Sequence, residues 1–342
     1  MQRRQFLSLS AAAATAPLLS SCVGDPDEFP VSLKSGYKAS GFGAKSTAEE
    51  VSEGIDLSGK TMLITGCNSG IGLETMRVLA LRGAHVIGTG RTLEKASAAC
   101  ESVEGKTTPL ALELTDFDSV VDCAARVSEL GLPLEALICN AGISGRQEKT
   151  VVNGIEMAFL VNYLSHFLLV NKLIPQVAAA QQGRIVHVSS RAAYTRPTAA
   201  GIRFDSLGES DGGLEYDSWE YYGQSKLANA LFSIKLAEKY ANTNITSNSL
   251  HPGFVKTNIA RGQGWLTETA FEVVGPLITK NVEEGAATTV YAASHPQMAD
   301  VSGQFLSDVD VVSVGGQHHL DNLKLAEELW TYSEGLLADY MS

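Results

Sequence analysis

Thr61-Met62-Leu63-Ile64-Thr65-Gly66-Cys67-Asn68-Ser69-Gly70-Ile71-Gly72 is the stretch on which the reading of this chain turns. Thr61–Thr65 is a short apolar run with the character of a buried strand. Ile71–Leu81, with Leu73, Met76, Val78, Leu79 and Leu81 apolar, follows it as a helix. Glycines at 66, 70 and 72 allow a tight turn and a close backbone approach, and they sit where the first helix begins. A strand, a glycine turn and a helix N-terminus together make a cradle for a pyrophosphate.

Working outward, the same alternation recurs. His85–Gly88, Pro109–Glu113, Leu134–Cys139, Arg184–Val188, Ile245–Leu250 and a late run near Gly303–Leu306 read as strands. Leu93–Ser102, Phe117–Leu130 and Trp219–Ala241 read as helices between them. Strands separated by helix-length segments imply right-handed βαβ units, hence an α/β fold with a Rossmann-type, doubly wound parallel sheet. We expect a single domain over residues 47–342 and find no internal repeat of fixed period.

The second strand ends Thr89-Gly90-Arg91. An acid at that tip would bond the adenosine ribose 2′-hydroxyl and repel a 2′-phosphate. No acid is present, and Arg91 stands where it would pair with the phosphate, which favours NADP(H) over NAD(H).

From here the chain resembles the short-chain dehydrogenase/reductases, in which the loop Thr65–Gly72 is one of several ordered motifs. Asn140-Ala141-Gly142 matches the N-N-A-G turn, with Cys139 where the first Asn usually stands. Asn162 matches the helix asparagine, Ser190 the serine after the Arg184–Val188 strand, and Tyr222–Lys226 the Y-x3-K pair. Pro252-Gly253-Phe254-Val255-Lys256-Thr257 matches the P-G-x-V-x-T segment. Tyr221 is the alternative to Tyr222, but only Tyr222 has a lysine four residues on. The motifs occur in family order across about residues 56–307.

The lead-in to the first strand, Lys226-Leu227-Ala228-Asn229 and the long interval from Ser190 to Tyr222 are similar to the retinol dehydrogenase and WW-domain oxidoreductase-like branch. The resemblance implies an oxidoreductase that interconverts an alcohol and a carbonyl by hydride transfer with a nicotinamide cofactor. It also implies a small hydrophobic substrate and a family habit of forming dimers or tetramers. It places Gly66, Asn68, Ser69, Gly70, Ile71, Gly72, Glu113, Leu114, Asn140, Ala141, Gly142, Tyr222, Lys226, Pro252, Gly253, Val255 and Thr257 at the cofactor beside Arg91. Glu113 departs from the Asp usually found after the third strand.

Tyr222, Lys226, Ser190 and Asn162 are the implied catalytic residues. A free tyrosine, with a pKa of about 10, is a poor base near neutrality. Tyr222 and Lys226 share one helix face, so the ammonium is expected to lower the phenol's pKa. Ser190 would bond the substrate oxygen, and Asn162 would hold a water in the proton relay. Alone, Ser190 also reads as a strand-end cap, Asn162 as a buried helix polar group and Tyr222 as a half-buried aromatic. The ordered set reads as catalysis, and a non-catalytic dinucleotide-binding module is the alternative from another class.

Composition narrows the partners. The chain carries 38 acidic against 26 basic residues, a formal net charge of -12, which disfavours nucleic acid. Its five cysteines form no metal-spaced pair, and we expect no metal. Residues 1–22 resemble an export signal: Arg3-Arg4 is twin-arginine-like, and Leu19-Ser20-Ser21-Cys22 resembles a lipobox. The expected location is the cell envelope or periplasm, lipid-anchored at Cys22. An uncleaved N-terminal anchor and cytoplasmic residence are the alternatives. Residues 23–46, rich in Gly, Ser, Pro and charge, read as a flexible tether.

Overall fold

The apolar runs form one nine-stranded sheet in a computed structural model, which describes residues 28–145, 148–210, 212–213, 215–255 and 279–341. In chain order the strands are β1 (Val31–Leu33), β2 (Thr61–Ile64), β3 (His85–Gly90), β4 (Thr107–Ala111) and β5 (Ala136–Cys139). They continue with β6 (Gly183–Val188), β7 (Ile245–His251), β8 (Phe305–Ser307) and β9 (Asp310–Val314). The order across the sheet is β1-β9-β8-β7-β6-β5-β2-β3-β4. Strands β2 to β8 pair in parallel, and β9 and β1 add an antiparallel edge. The third predicted strand, Pro109–Glu113, is realised two residues earlier, because Glu113 turns its carboxylate onto Thr115 instead of extending the ladder.

The helices are α1 (Gly70–Leu81), α2 (Leu93–Glu101), α3 (Phe117–Glu129), α4 (Met157–Ala178), α5 (Ser218–Lys239), α6 (Val282–Ser294) and α7 (Leu323–Leu336). Buried side chains of α1, α2 and α6, such as Met76, Cys100 and Val290, fill the core on one face. Those of α3, α4, α5 and α7, such as Val120, Phe167, Phe232 and Trp330, fill the other. Helix α4 is apolar and long enough to cross a bilayer by composition, but most of it is buried in this core. Trp330 packs on Phe167 and Phe232, with ring centroids at 4.9 and 5.8 Å.

The tether expected over residues 23–46 is not what the described part of that segment forms. Val31–Leu33 pairs with Val312–Val314, and Lys34 N–H continues the ladder to Val311 O at 2.9 Å. Ser40 N–H donates to Asp310 at 2.7 Å, and Phe42 packs edge-on to Tyr291. The open edge of β9 presents unpaired backbone groups, and three extended residues satisfy them. Such a short strand leaves no periodic trace in the sequence. Residues 1–22, where an export signal ending at Cys22 is expected, lie outside the described residues.

Parallel pairing puts the C-terminal ends of β2 to β7 on one edge, where every motif of the ordered set follows its strand. The order reverses between β2 and β5, and the crevice at such a switch point is where open α/β sheets take ligands.

Candidate active site

The phosphate loop is held by its neighbours more than by itself. Cys67 N–H donates to Thr89 O at 2.9 Å, pinning the loop over β3. Asn140 Nδ2 donates to Thr65 O at 2.8 Å and to Gly66 O at 3.3 Å. The buried Thr65 hydroxyl accepts the backbone N–H groups of Asn140 at 3.0 Å and Ala141 at 2.9 Å. Gly66 has φ +71°, and a Cβ there would meet Ala141 Cβ at 2.9 Å. A Cβ on Gly72 would run into Gly66 O and Asn140 Nδ2. Ser69, in extended backbone at the N-cap of α1, gives no side-chain cap bond, so the first-turn N–H groups remain open to an anion. Asn68 and Ser69 are exposed beside Gly70 and Ile71.

Helix α5 starts at Asp217, whose carboxylate caps the N–H groups of Trp219 and Glu220. It is fastened to β6 by Ser189 Oγ donating to Lys226 O at 2.6 Å. This places Tyr222 and Lys226, 8% and 3% exposed, beneath Ser190 at the tip of β6. The Ser190 side chain lies beside the Tyr222 phenol. Lys226 Nζ donates to Val188 O at 2.9 Å and lies 5.8 Å from the Tyr222 ring centroid.

The expected lowering of the tyrosine pKa by the ammonium is not what this geometry gives. Burial raises the Tyr222 phenol, and the neighbouring Ser190 hydroxyl opposes it. Burial also lowers Lys226 to about 8. Both groups are thereby pushed toward their neutral forms. Tyr221 is engaged elsewhere, its hydroxyl donating to Ser206 O at 3.1 Å.

Asn162 sits in a π-helical turn of α4, Leu160–Leu164. Such turns interrupt the regular ladder and free polar groups for other partners. Its side chain clamps the peptide of Ile143 from both sides, accepting from N at 2.8 Å and donating to O at 2.9 Å. Nδ2 also donates to Ser225 Oγ at 2.9 Å. A Cβ on Gly142 would meet Asn162 Oδ1 at 3.0 Å and Lys226 Nζ at 3.2 Å, so the Asn140–Gly142 turn, Asn162 and Lys226 adjoin.

At the cofactor's expected adenosine end, Arg91 is exposed and makes no ion pair among the described residues. Glu113 is occupied by Thr115 N–H and Oγ1, and Leu114 is buried with its carbonyl accepting from Ser165 Oγ at 2.6 Å. At the opposite end, Pro252 and Gly253 follow β7, and Gly253 (φ +91°) lies against the Lys280 side chain. Val255 bridges to Lys280, whose ammonium pairs with Asp308 at 2.6 Å. Thr257, and all of the apolar segment Ile259–Lys280 but its last two residues, lie outside the described residues. Thr65, His166 and Lys280 were not singled out from sequence. A hydroxyl immediately before the first glycine was the only local signal for Thr65.

Comparison with known proteins follows the same lines. A family model described as short chain dehydrogenase matches residues 60–202. Short-chain dehydrogenase TIC 32 A, chloroplastic, of Brassica napus is 38% identical over 306 residues, covering 86% of this chain and 93% of that protein. WW domain-containing oxidoreductase of Gallus gallus is 33% identical, covering 88% of this chain and 73% of its own. Human retinol dehydrogenase 13 is 33% identical over 82% of this chain and 85% of its own. Among solved structures, an uncharacterized protein from Mycobacterium paratuberculosis superposes with a TM-score of 0.67 at 30% identity, covering 84% of this chain and 97% of that one.

Proposed function

Because the chain belongs to the short-chain dehydrogenase/reductase family, whose fold implies a nicotinamide dinucleotide, we propose that it is an NADP(H)-dependent enzyme interconverting lipophilic alcohols and carbonyls. The observation that carries this reading is the buried pair of Tyr222 and Lys226 one turn apart on α5, with Lys226 Nζ 5.8 Å from the Tyr222 ring centroid and Ser190 beside the phenol. The cradle fits the cofactor, since Gly66 and Gly72 let the loop pack closely on Ala141 and Asn140, and the α1 N-terminus above it carries no side-chain cap.

When bound, the nicotinamide supplies or takes the hydride. This chain's residues handle the proton. In reduction Tyr222 donates it to the substrate oxygen, and in oxidation Tyr222 removes it. Ser190 holds that oxygen against the phenol. The phenol's elevated pKa suits a proton donor. Lys226, through its charge and its reach toward the nicotinamide ribose, would ease formation of the phenolate once polar partners surround it. Asn162, clamped to Ile143, holds the turn beside Lys226. Arg91 would pair with a 2′-phosphate, which favours NADP(H).

The N-terminal segment supports export to the cell envelope with a lipid anchor at Cys22, and mass analysis of the mature N-terminus tests it. Free NADP(H) is not expected there, so this reading also predicts nucleotide retained through purification.

The decisive experiment offers the purified protein a panel of lipophilic aldehydes and ketones with NADPH and then NADH. Tyr222→Phe is expected to lower the turnover of the best substrate ~10²–10⁴-fold without weakening NADPH binding. Unchanged turnover would overturn the mechanism.

A further inference from the structure

His166 takes no part in the proton transfer described above, yet it joins the segments that do. It lies one helical turn beyond Asn162 on α4 and is 1% exposed. Its Nδ1 is 3.1 Å from the Asn162 carbonyl oxygen, and its Nε2 is 2.9 Å from Thr65 Oγ1. A carbonyl only accepts, so Nδ1 carries the ring proton. Nε2 then presents a lone pair, and the Thr65 hydroxyl donates to it at 2.9 Å in preference to the Ile138 carbonyl, which stands at 3.5 Å. Both Thr65 lone pairs remain for Asn140 N–H and Ala141 N–H.

With that assignment both ring nitrogens and all three hydrogen-bonding positions of the hydroxyl are matched. The opposite tautomer would aim a third N–H at an oxygen with two lone pairs and set Nδ1 against a carbonyl. Burial lowers the imidazole pKa to about 4, so the ring stays neutral near neutrality; the Asn162 bond opposes this and the Lys226 charge adds to it.

We infer that His166 is a positioning residue that fixes the register between the phosphate loop and the proton-transfer set. One imidazole links the Asn162 π-turn, the start of the loop at Thr65 and, through Thr65, the Asn140–Ala141 turn. The inference rests on the proposed reaction for its kinetic consequences but not for its tautomer.

The two bonds are separable. Asn can place an amide N–H near the Nδ1 position and keep the donor to Asn162, while leaving Thr65 without its acceptor. Gln reaches the Nε2 position and keeps the Thr65 partner, while releasing Asn162. His166→Asn is therefore expected to raise the NADPH Kd, read by fluorescence titration, ~10-fold with kcat held within about twofold. His166→Gln is expected to lower kcat ~10-fold with the Kd held within about twofold.

In the wild-type protein, ¹⁵N-detected imidazole spectra should show His166 as the Nδ1–H tautomer between about pH 6 and 8. Its resonances should move when NADPH saturates the site. Variants that lose thermal stability yet leave Kd, kcat and KM within twofold would reduce His166 to a core filler. An Nε2–H tautomer, or resonances blind to NADPH, would overturn the inference even if neither variant folds. Failure of the wild-type protein to bind NADPH or turn over any carbonyl would instead strike the proposed function.

Discussion

The two ends of the site are built on different physics. At the phosphate end the Asn140 and Thr65 side chains hold backbone groups, the side chains of Asn68, Ser69 and Arg91 face solvent, and glycine permits the close packing. At the proposed proton-transfer end Tyr222 and Lys226 are buried, and their pKa values move apart, the phenol up and the ammonium down to about 8. The first is limited by shape, so one added carbon can close it. The second is limited by electrostatics, so burial, charge and pH govern it. Changes at one end should therefore leave the signature of the other intact.

The largest break is at Gly72. A methyl there would collide with Gly66 O and Asn140 Nδ2, which are backbone and a doubly bonded amide that cannot yield. Gly72→Ala should cost on the order of 3 kcal/mol of cofactor affinity, about 100-fold in NADPH Kd. Fluorescence titration checks it against Tyr222→Phe, whose Kd should match the wild type. Equal losses in both variants would mean that the two ends are not separable.

Next comes the pH response of Lys226. Below pH about 8 it is charged in the folded and unfolded states alike and carries its full burial penalty. Between about 8 and 10.5 the unfolded chain holds more protons than the folded one, so this group's contribution to stability rises with pH. Urea unfolding of wild type and Lys226→Met at pH 7 and pH 10.5 isolates it, because other titrations cancel in the difference. The wild type should gain up to about 3 kcal/mol relative to the variant across that interval. A flat difference would show that the ammonium is better solvated or paired than its Val188 contact suggests.

The same contrast explains what was legible in the sequence. Shape leaves residue-type marks: Gly66, Gly70 and Gly72 between a strand and a helix place the loop, and the four-residue step from Tyr222 to Lys226 puts the proposed proton-transfer pair on one helix face. Environment leaves none. That burial raises the Tyr222 phenol follows from the packing of α5 beneath β6. That Asn162 grips Ile143 follows from a π-turn that no periodicity announces. His166, one apolar-flanked residue of a buried helix, became informative only once Thr65 stood opposite it. The edge strand Val31–Leu33 leaves no mark for another reason, since its pairing is set by β9 nearly three hundred residues later.

The smallest effect is the most discriminating for the choice of cofactor. Arg91 is exposed and unpaired among the described residues, so its removal should disturb neither fold nor loop. A charge-assisted bond from an exposed guanidinium to a 2′-phosphate is worth about 1.5 kcal/mol, or ~10-fold in Kd. Arg91→Ala should thus weaken NADPH about tenfold while leaving NADH unchanged, and the ratio of the two constants is the quantity to measure. Arg91→Glu should carry that ratio further, since a carboxylate repels the phosphate yet accepts a ribose hydroxyl. A ratio unmoved by either substitution would place discrimination away from the β3 tip, and with it the preference for NADP(H). A shift in both constants together would mean that Arg91 supports the loop's shape, returning it to the phosphate end's own logic.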